Sequence, residues 1–113
     1  MSADLEVIHA VPDLRSSAGG IAAMVSGLAA ALDEEQIASR FLTLQHDCDH
    51  LYLTRSMLKS DDAASVEQSL EKHLRLRSSQ IVLHSHGLWH PMNHAVVRAA
   101  VRFRVPLVIS PHG

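Results

Sequence analysis

The stretch Gln80-Ile81-Val82-Leu83-His84-Ser85-His86-Gly87-Leu88-Trp89-His90-Pro91 decides the fold. It starts as a continuous apolar run, which suits a strand covered on both faces of a parallel sheet. Gly87 to His90 reads as a loop. Pro91 fits the first position of a helix, where its missing N–H costs nothing. Met92, Val96, Ala99 and Phe103 then fall on one helical stripe, with Arg98 and Arg102 turned away from it. Pro106 stops that helix, and Leu107-Val108-Ile109-Ser110 reads as the next strand. A strand, a helix and a second strand in so short a span make a βαβ unit.

The same alternation extends towards the amino terminus. Leu5 to Val11 is rich in β-branched residues and reads as a strand ended by Pro12. Asp13 to Ala18 is a polar loop closed by Gly19-Gly20. Ile21, Met24, Val25, Leu28 and Leu32 form a helical stripe that gives way to Asp33, Glu34 and Glu35. Arg40 to Gln45 reads as a second strand, and Leu51-Tyr52-Leu53 is a candidate third within the irregular stretch from His46 to Ser60. Ser60-Asp61-Asp62 signals a helix start, with a capping side chain and negative charge at the positive end of the dipole. Ala63, Val66, Leu70 and Leu74 supply its apolar stripe, and Glu71 is set to pair with Arg75 one turn on. This order predicts an α/β fold: an incomplete Rossmann-like, mainly parallel sheet with helices on both faces. Residues 1–113 read as a single, incomplete domain with no internal repeat, linker or low-complexity tract.

Composition narrows the class. A net charge of −2 and an apolar fraction of 47% are ordinary for a globular chain. They lack the basic stripe of a nucleic-acid binder. Cys48 is the only cysteine, so no internal disulfide forms and a reducing compartment fits. Asp4 and Glu6 stand where a secretory signal would carry basic residues. The longest apolar stretch, Ile21 to Leu32, is too short for a bilayer. A cytoplasmic protein is expected, or one peripheral to a membrane face.

In an open parallel sheet, ligands bind beyond the carboxyl ends of the strands. Three features fall there: the loop from Pro12 to Gly20, the turn from His84 to His90, and Ser110-Pro111-His112-Gly113. Gly19 and Gly20 open a helix, which suits either a plain turn or close approach of an anion such as a diphosphate. The dinucleotide fingerprint and the P-loop are both absent, which disfavours a nicotinamide cofactor and nucleoside triphosphatase chemistry. His84 and His86 would share one strand face. They read as metal ligands, as structural histidines or as hydrogen-bonding partners of a ligand, and Gly87, Leu88 and Trp89 supply no carboxylate to help hold a metal. His90 and His94 are spaced one turn apart, but Pro91 starts the helix between them. In His46-Asp47-Cys48-Asp49-His50, an extended chain would align His46, Cys48 and His50, although the two aspartates suit a solvated turn. His112 follows a buried strand directly and could donate to or accept from a sugar hydroxyl or a phosphate oxygen near neutral pH.

Taken in order and spacing, three segments resemble the family 4 glycosyltransferases, specifically their amino-terminal, acceptor-side domain. They are Val7-Ile8-His9-Ala10-Val11-Pro12 with Gly19-Gly20-Ile21-Ala22, then Ile81 to Trp89, then Pro106 to Gly113. The resemblance implies two Rossmann-like domains facing across a cleft. It implies transfer of a sugar, with retention, from a nucleotide-sugar to a glycan or lipid-linked acceptor in carbohydrate biosynthesis. Gly19 and Gly20 would lie near the donor diphosphate, His112 would reach the transferred sugar as the catalytic residue, and His86 would line the acceptor side. No metal and no cofactor is implied, the nucleotide-sugar being substrate. The chain ends at Gly113, before such a domain is finished. The carboxyl-terminal domain, which in the family carries the donor-holding basic residues and paired glutamates, is not in the sequence. The polypeptide alone is therefore expected to be inactive as a transferase, and its unfinished sheet edge to favour self-association. Two other readings stay open: a metal-dependent hydrolase built on His84 and His86, and a non-catalytic remnant or binding module.

Overall fold

A computed structural model describes residues 5–15, 20–45, 57–58, 62–76 and 80–112, with backbone alone for 57–58. The elements are β1 (Leu5–Ala10), α1 (Gly20–Glu34), β2 (Ala38–Leu42), β3 (Met57–Leu58), α2 (Ala63–Leu76), β4 (Gln80–His86), α3 (Pro91–Phe103) and β5 (Leu107–Ser110). The strands form one sheet in the order β3-β2-β1-β4-β5, and every described pairing is parallel. This is a Rossmann-like α/β domain. The chain builds outward from β1 to β3, then returns to lay β4 against the other side of β1. The strand order therefore reverses between β1 and β4, where open α/β sheets bind ligands.

Strand alternation divides the core in two. Ile8, Ala10, Leu42, Ile81 and Leu83 face α2 and α3, which contribute Val66, Leu70, Met92, Ala95, Val96 and Ala99. Phe41 and Val11 face α1, which contributes Ala22, Val25 and Ala29. Fully burying a side chain the size of Phe41 is worth about 1.5–3 kcal/mol. Arg98 and Arg102, turned away from the sheet, instead reach Glu67 of α2 at 3.3 and 3.4 Å, and Arg102 also meets Glu71 at 3.1 Å. Glu71 pairs with Arg75 at 2.9 Å, one turn along α2. Such exposed pairs contribute about 0–1 kcal/mol each, so packing of the apolar faces dominates this helix pair.

Local signals explain most element ends. Asp62 caps α2, its carboxylate accepting from the Ser65 N–H at 2.9 Å. Ser60 and Asp61, read with it as the helix start, lie outside the described residues. Pro91 opens α3 as expected, and the helix ends on Arg104 in a left-handed conformation (φ 56°), whose N–H reaches Ala100 and Val101.

Three expectations need correction. The second strand runs Ala38–Leu42, not Arg40 to Gln45, because its register is set by pairing of Glu6 with Ala38 through Ala10 with Leu42. Beyond Leu42 the chain turns, with the Thr43 hydroxyl donating to the Gln45 carbonyl at 3.0 Å. The first strand stops at Ala10, although the Val11 N–H still donates to the Leu42 carbonyl at 2.9 Å. The stripe of α1 is rotated: Ala22, Val25 and Ala29 are buried, whereas Met24 is 39% exposed. Small alanines bring the helix axis close to the sheet and leave the bulkier Met24 and Leu28 at its flanks. Leu51-Tyr52-Leu53 and the His46-to-His50 motif lie outside the described residues, and the strand found in that region is Met57–Leu58. At the edge strand β5, Val108 and Ile109 are about half exposed on opposite faces. No helix among the described residues is long and apolar enough to cross a membrane.

Candidate functional site

The β1/β4 reversal carries a cluster of imidazoles. His9 on β1 pairs in register with Phe41 on one side and His84 on the other, so all three side chains lie on the α1 face of the sheet. His86, two residues along β4, shares that face. His9 is fully buried and stacks on Phe41, with ring centroids 5.5 Å apart. The rings of His84 and His86 stack at 3.9 Å. His112, just after β5, lies parallel to His86 at 5.1 Å.

Hydrogen bonds string these rings together. Nε2 of His9 meets the Ser39 hydroxyl at 3.2 Å, and Nδ1 of His9 meets Nε2 of His86 at 3.4 Å. Nδ1 of His86 meets Nε2 of His112 at 2.9 Å. Nε2 of His84 meets the Ser110 hydroxyl at 2.7 Å. Burial disfavours the imidazolium form of His9, His84 and His86. Burial, with the His84 charge adding to it, pushes His9 down to about 4. Burial, with His84, His9 and His112 adding to it, pushes His86 down to about 3. His84 is lowered by burial and then by His112. His9, His84 and His86 are therefore neutral near pH 7, each ring offering one donor and one acceptor.

Asn93 fixes the wall beside the cluster. It is buried in the first turn of α3. Its amide donates to the Ser85 hydroxyl at 2.9 Å and to the His86 carbonyl at 3.1 Å, and its oxygen accepts from the His90 N–H at 3.2 Å. His90 returns the bond, its Nδ1 accepting from the Met92 N–H at 3.0 Å, so the two form a capping box. Between β4 and this cap the chain turns at Gly87, whose φ of 103° suits glycine alone. The Gly87 N–H donates to the Ser110 carbonyl at 2.7 Å, tying the turn to β5.

Above the cluster lies a cleft of about 420 Å³, lined by Val11, Pro12, Asp13 and Ile21 on one side and by His86, Leu88, Trp89, Pro111 and His112 on the other. Trp89 stands at its lip, 87% exposed. His112 has a φ of 55°, an uncommon conformation for a residue with a side chain and one that concentrates at functional sites. Asp13 is turned aside by Arg15, which binds its carboxylate through two nitrogens. A larger cavity, about 520 Å³, opens at the opposite end of the strands. Leu5, Leu74, Phe103, Val105 and Pro106 give it an apolar lining with little chemistry to offer.

Of the residues singled out in the sequence, His86 and His112 line the cleft and bond to each other. Gly20 is the first residue of α1, next to Ile21 of the cleft wall, and Gly19 lies outside the described residues. Among the described residues, a methyl group added at Gly20 would meet nothing within 4 Å outside its own helix backbone. His84 sits below the cleft rather than in its wall. His90 is committed to the cap of α3, and His94 is exposed. Sequence reasoning missed the part played by His9, Ser39, Ser110 and Asn93. Only the strand alternation that puts His9 beside His84 could have drawn attention to the first of them. Neither the protein-family models nor the curated proteins nor the solved structures contain a match to this chain.

Proposed function

We propose that the chain is the acceptor-side domain of a retaining, nucleotide-sugar-dependent glycosyltransferase of family 4 type. The observation carrying this reading is the cleft at the β1/β4 reversal, where the start of α1, His86, Trp89 and His112 converge from three separate parts of the chain. The amino terminus of α1 presents the positive end of the helix dipole and has no acidic side chain in its first turn, which suits a diphosphate. The absence of a side chain at Gly20 lets that group approach the backbone. His112, with Nε2 taken up by His86, keeps Nδ1 for a sugar oxygen. Trp89 offers an exposed aromatic face of the kind on which the C–H face of a sugar ring stacks. Leaving-group stabilisation then rests on preorganised dipoles and positioning. The second Rossmann-like domain of such an enzyme would close over this cleft.

Trp89 is the only tryptophan in the chain, so its fluorescence reports directly on the cleft. Titration with oligosaccharides and with a panel of uridine- and guanosine-diphosphate sugars is expected to change Trp89 emission and to shift the amide resonances of Ile21 and His112. Turnover by this polypeptide alone is not expected. An unchanged emission with every saccharide and sugar nucleotide at millimolar concentration, or resonance shifts confined to residues outside the cleft, would defeat the reading.

A further inference from the structure

We propose that His9, His84 and His86 form a three-imidazole binding site for a divalent transition metal, with Zn²⁺ the best-matched ion, in the sheet beneath the cleft. The inference stands on the cluster itself, whatever the cleft above it binds. One ring nitrogen from each histidine lies within 4.8 Å of the others. The separation of His9 Nδ1 and His86 Nε2, 3.4 Å, is long for a hydrogen bond between ring nitrogens. It matches the edge of about 3.3 Å expected between two nitrogens bound to one tetrahedral zinc with arms of about 2.0–2.1 Å.

The surroundings of the three rings point the same way. Metal-binding imidazoles nearly always present their second nitrogen to a hydrogen-bonding partner, which fixes tautomer and ring orientation. Here all three do so: His9 to Ser39, His84 to Ser110 and His86 to His112. The strands that carry the ligands are central in the sheet, so the ring positions are set by backbone pairing rather than by a loop. Depressed proton affinity, caused chiefly by burial, keeps His9 and His86 in the neutral form that a metal requires. Three nitrogens leave one tetrahedral position for water or an anionic ligand. His84, only half-buried, marks the side from which an ion would enter. With His86 bound through Nε2, its Nδ1–H donates to His112, which commits the cleft nitrogen of His112 to being a donor.

The test is zinc uptake by the full chain after treatment with a chelator, measured by equilibrium dialysis with elemental analysis, with cobalt substitution to read the ligand set. One equivalent per chain is expected, with a raised melting temperature and a tetrahedral cobalt spectrum free of thiolate charge transfer. Ser110→Ala should weaken binding roughly 10–100-fold, and His84→Gln by more than that. A variant combining His46→Ala, Cys48→Ser and His50→Ala should bind as the parent does. The far-ultraviolet circular dichroism of each variant separates lost binding from lost folding, and Ser110→Ala leaves all three ligands in place should His84→Gln fail to fold. Failure to take up zinc in stoichiometric amount would overturn the proposal. So would uptake that survives His84→Gln, or uptake abolished by the triple variant.

Discussion

The same substitution, glycine to alanine, should have opposite effects at two positions, and the structure gives the size of each. At Gly87 the backbone is held at a φ of 103°, where a side chain costs about 1–3 kcal/mol. The added methyl would also stand 3.3 Å from the Asn93 side-chain oxygen. Asn93 cannot retreat freely, because it is pinned to Ser85, His86 and His90. Losing one of those bonds adds about 0.5–1.5 kcal/mol. Gly87→Ala is therefore expected to destabilise by about 2–4 kcal/mol, lowering the melting temperature at roughly 4 °C per kcal/mol for a chain of this size. Gly27 lies on the exposed side of α1, and a methyl there would meet nothing within 4 Å among the described residues. Alanine improves helix propensity, so Gly27→Ala should stabilise by about 0.5–1 kcal/mol. Urea denaturation followed by circular dichroism at fixed pH, with both variants and the parent at one protein concentration, measures both. If Gly87→Ala unfolded within about 0.5 kcal/mol of the parent while Gly27→Ala behaved as stated, the account of the β4–α3 turn would be wrong.

Two further outcomes follow from buried polar groups. Glu6 is 1% exposed and binds Arg40 at 2.8 Å and His73 at 3.1 Å, whereas the Arg40 side chain is 32% exposed. Arg40→Ala removes a charged partner from a buried carboxylate and should cost about 3 kcal/mol; Glu6→Gln leaves a cation that water can reach and should cost about 1–2 kcal/mol. Urea midpoints in the reverse order would refute this. In the presence of a chelator, stability should also fall with acid. Above the ordinary histidine value of 6.5 both states are neutral, so nothing changes. Below it the unfolded chain takes up protons that His9 does not bind until about pH 4 and His86 until about pH 3. The unfolded state then binds more protons, and stability drops as pH falls from 6.5 towards 4, by on the order of 3 kcal/mol from His9 alone. An equal urea midpoint at pH 7 and pH 5 would contradict it.

Where the sequence was readable, the deciding signals were local. The apolar run of β4, Pro91 at the head of α3 and Pro106 after it fix their elements without help from distant residues, and those boundaries agree with the structure. The register of β2 was not readable, because it depends on β1 pairing from Glu6 onward. The rotation of α1 was hidden for a related reason: hydrophobicity favours Met24 and Leu28, but close approach to the sheet favours Ala22 and Ala29. In the site, alternation placed His84 and His86 on one face, and the rule for parallel sheets brought the terminal histidine to the same rim. His9 looked like one polar residue in a strand, and its role depends on Ser39 and His86, partners 30 and 77 residues away. Glu6 was equally opaque, since its partners Arg40 and His73 lie on β2 and α2.

Asn93 has a consequence for how the cleft moves. One amide joins the end of a central strand, the glycine turn after it and the opening turn of a core helix. The turn cannot peel away from the sheet without stripping α3 of its cap, and the helix cannot fray at that end without releasing the turn. The turn at the base of this wall should therefore open only together with the core helix and strand it is tied to. A ligand meets there a surface tied to the interior behind it, and adjustment to its shape is left to the facing side, around Pro12 and Ile21.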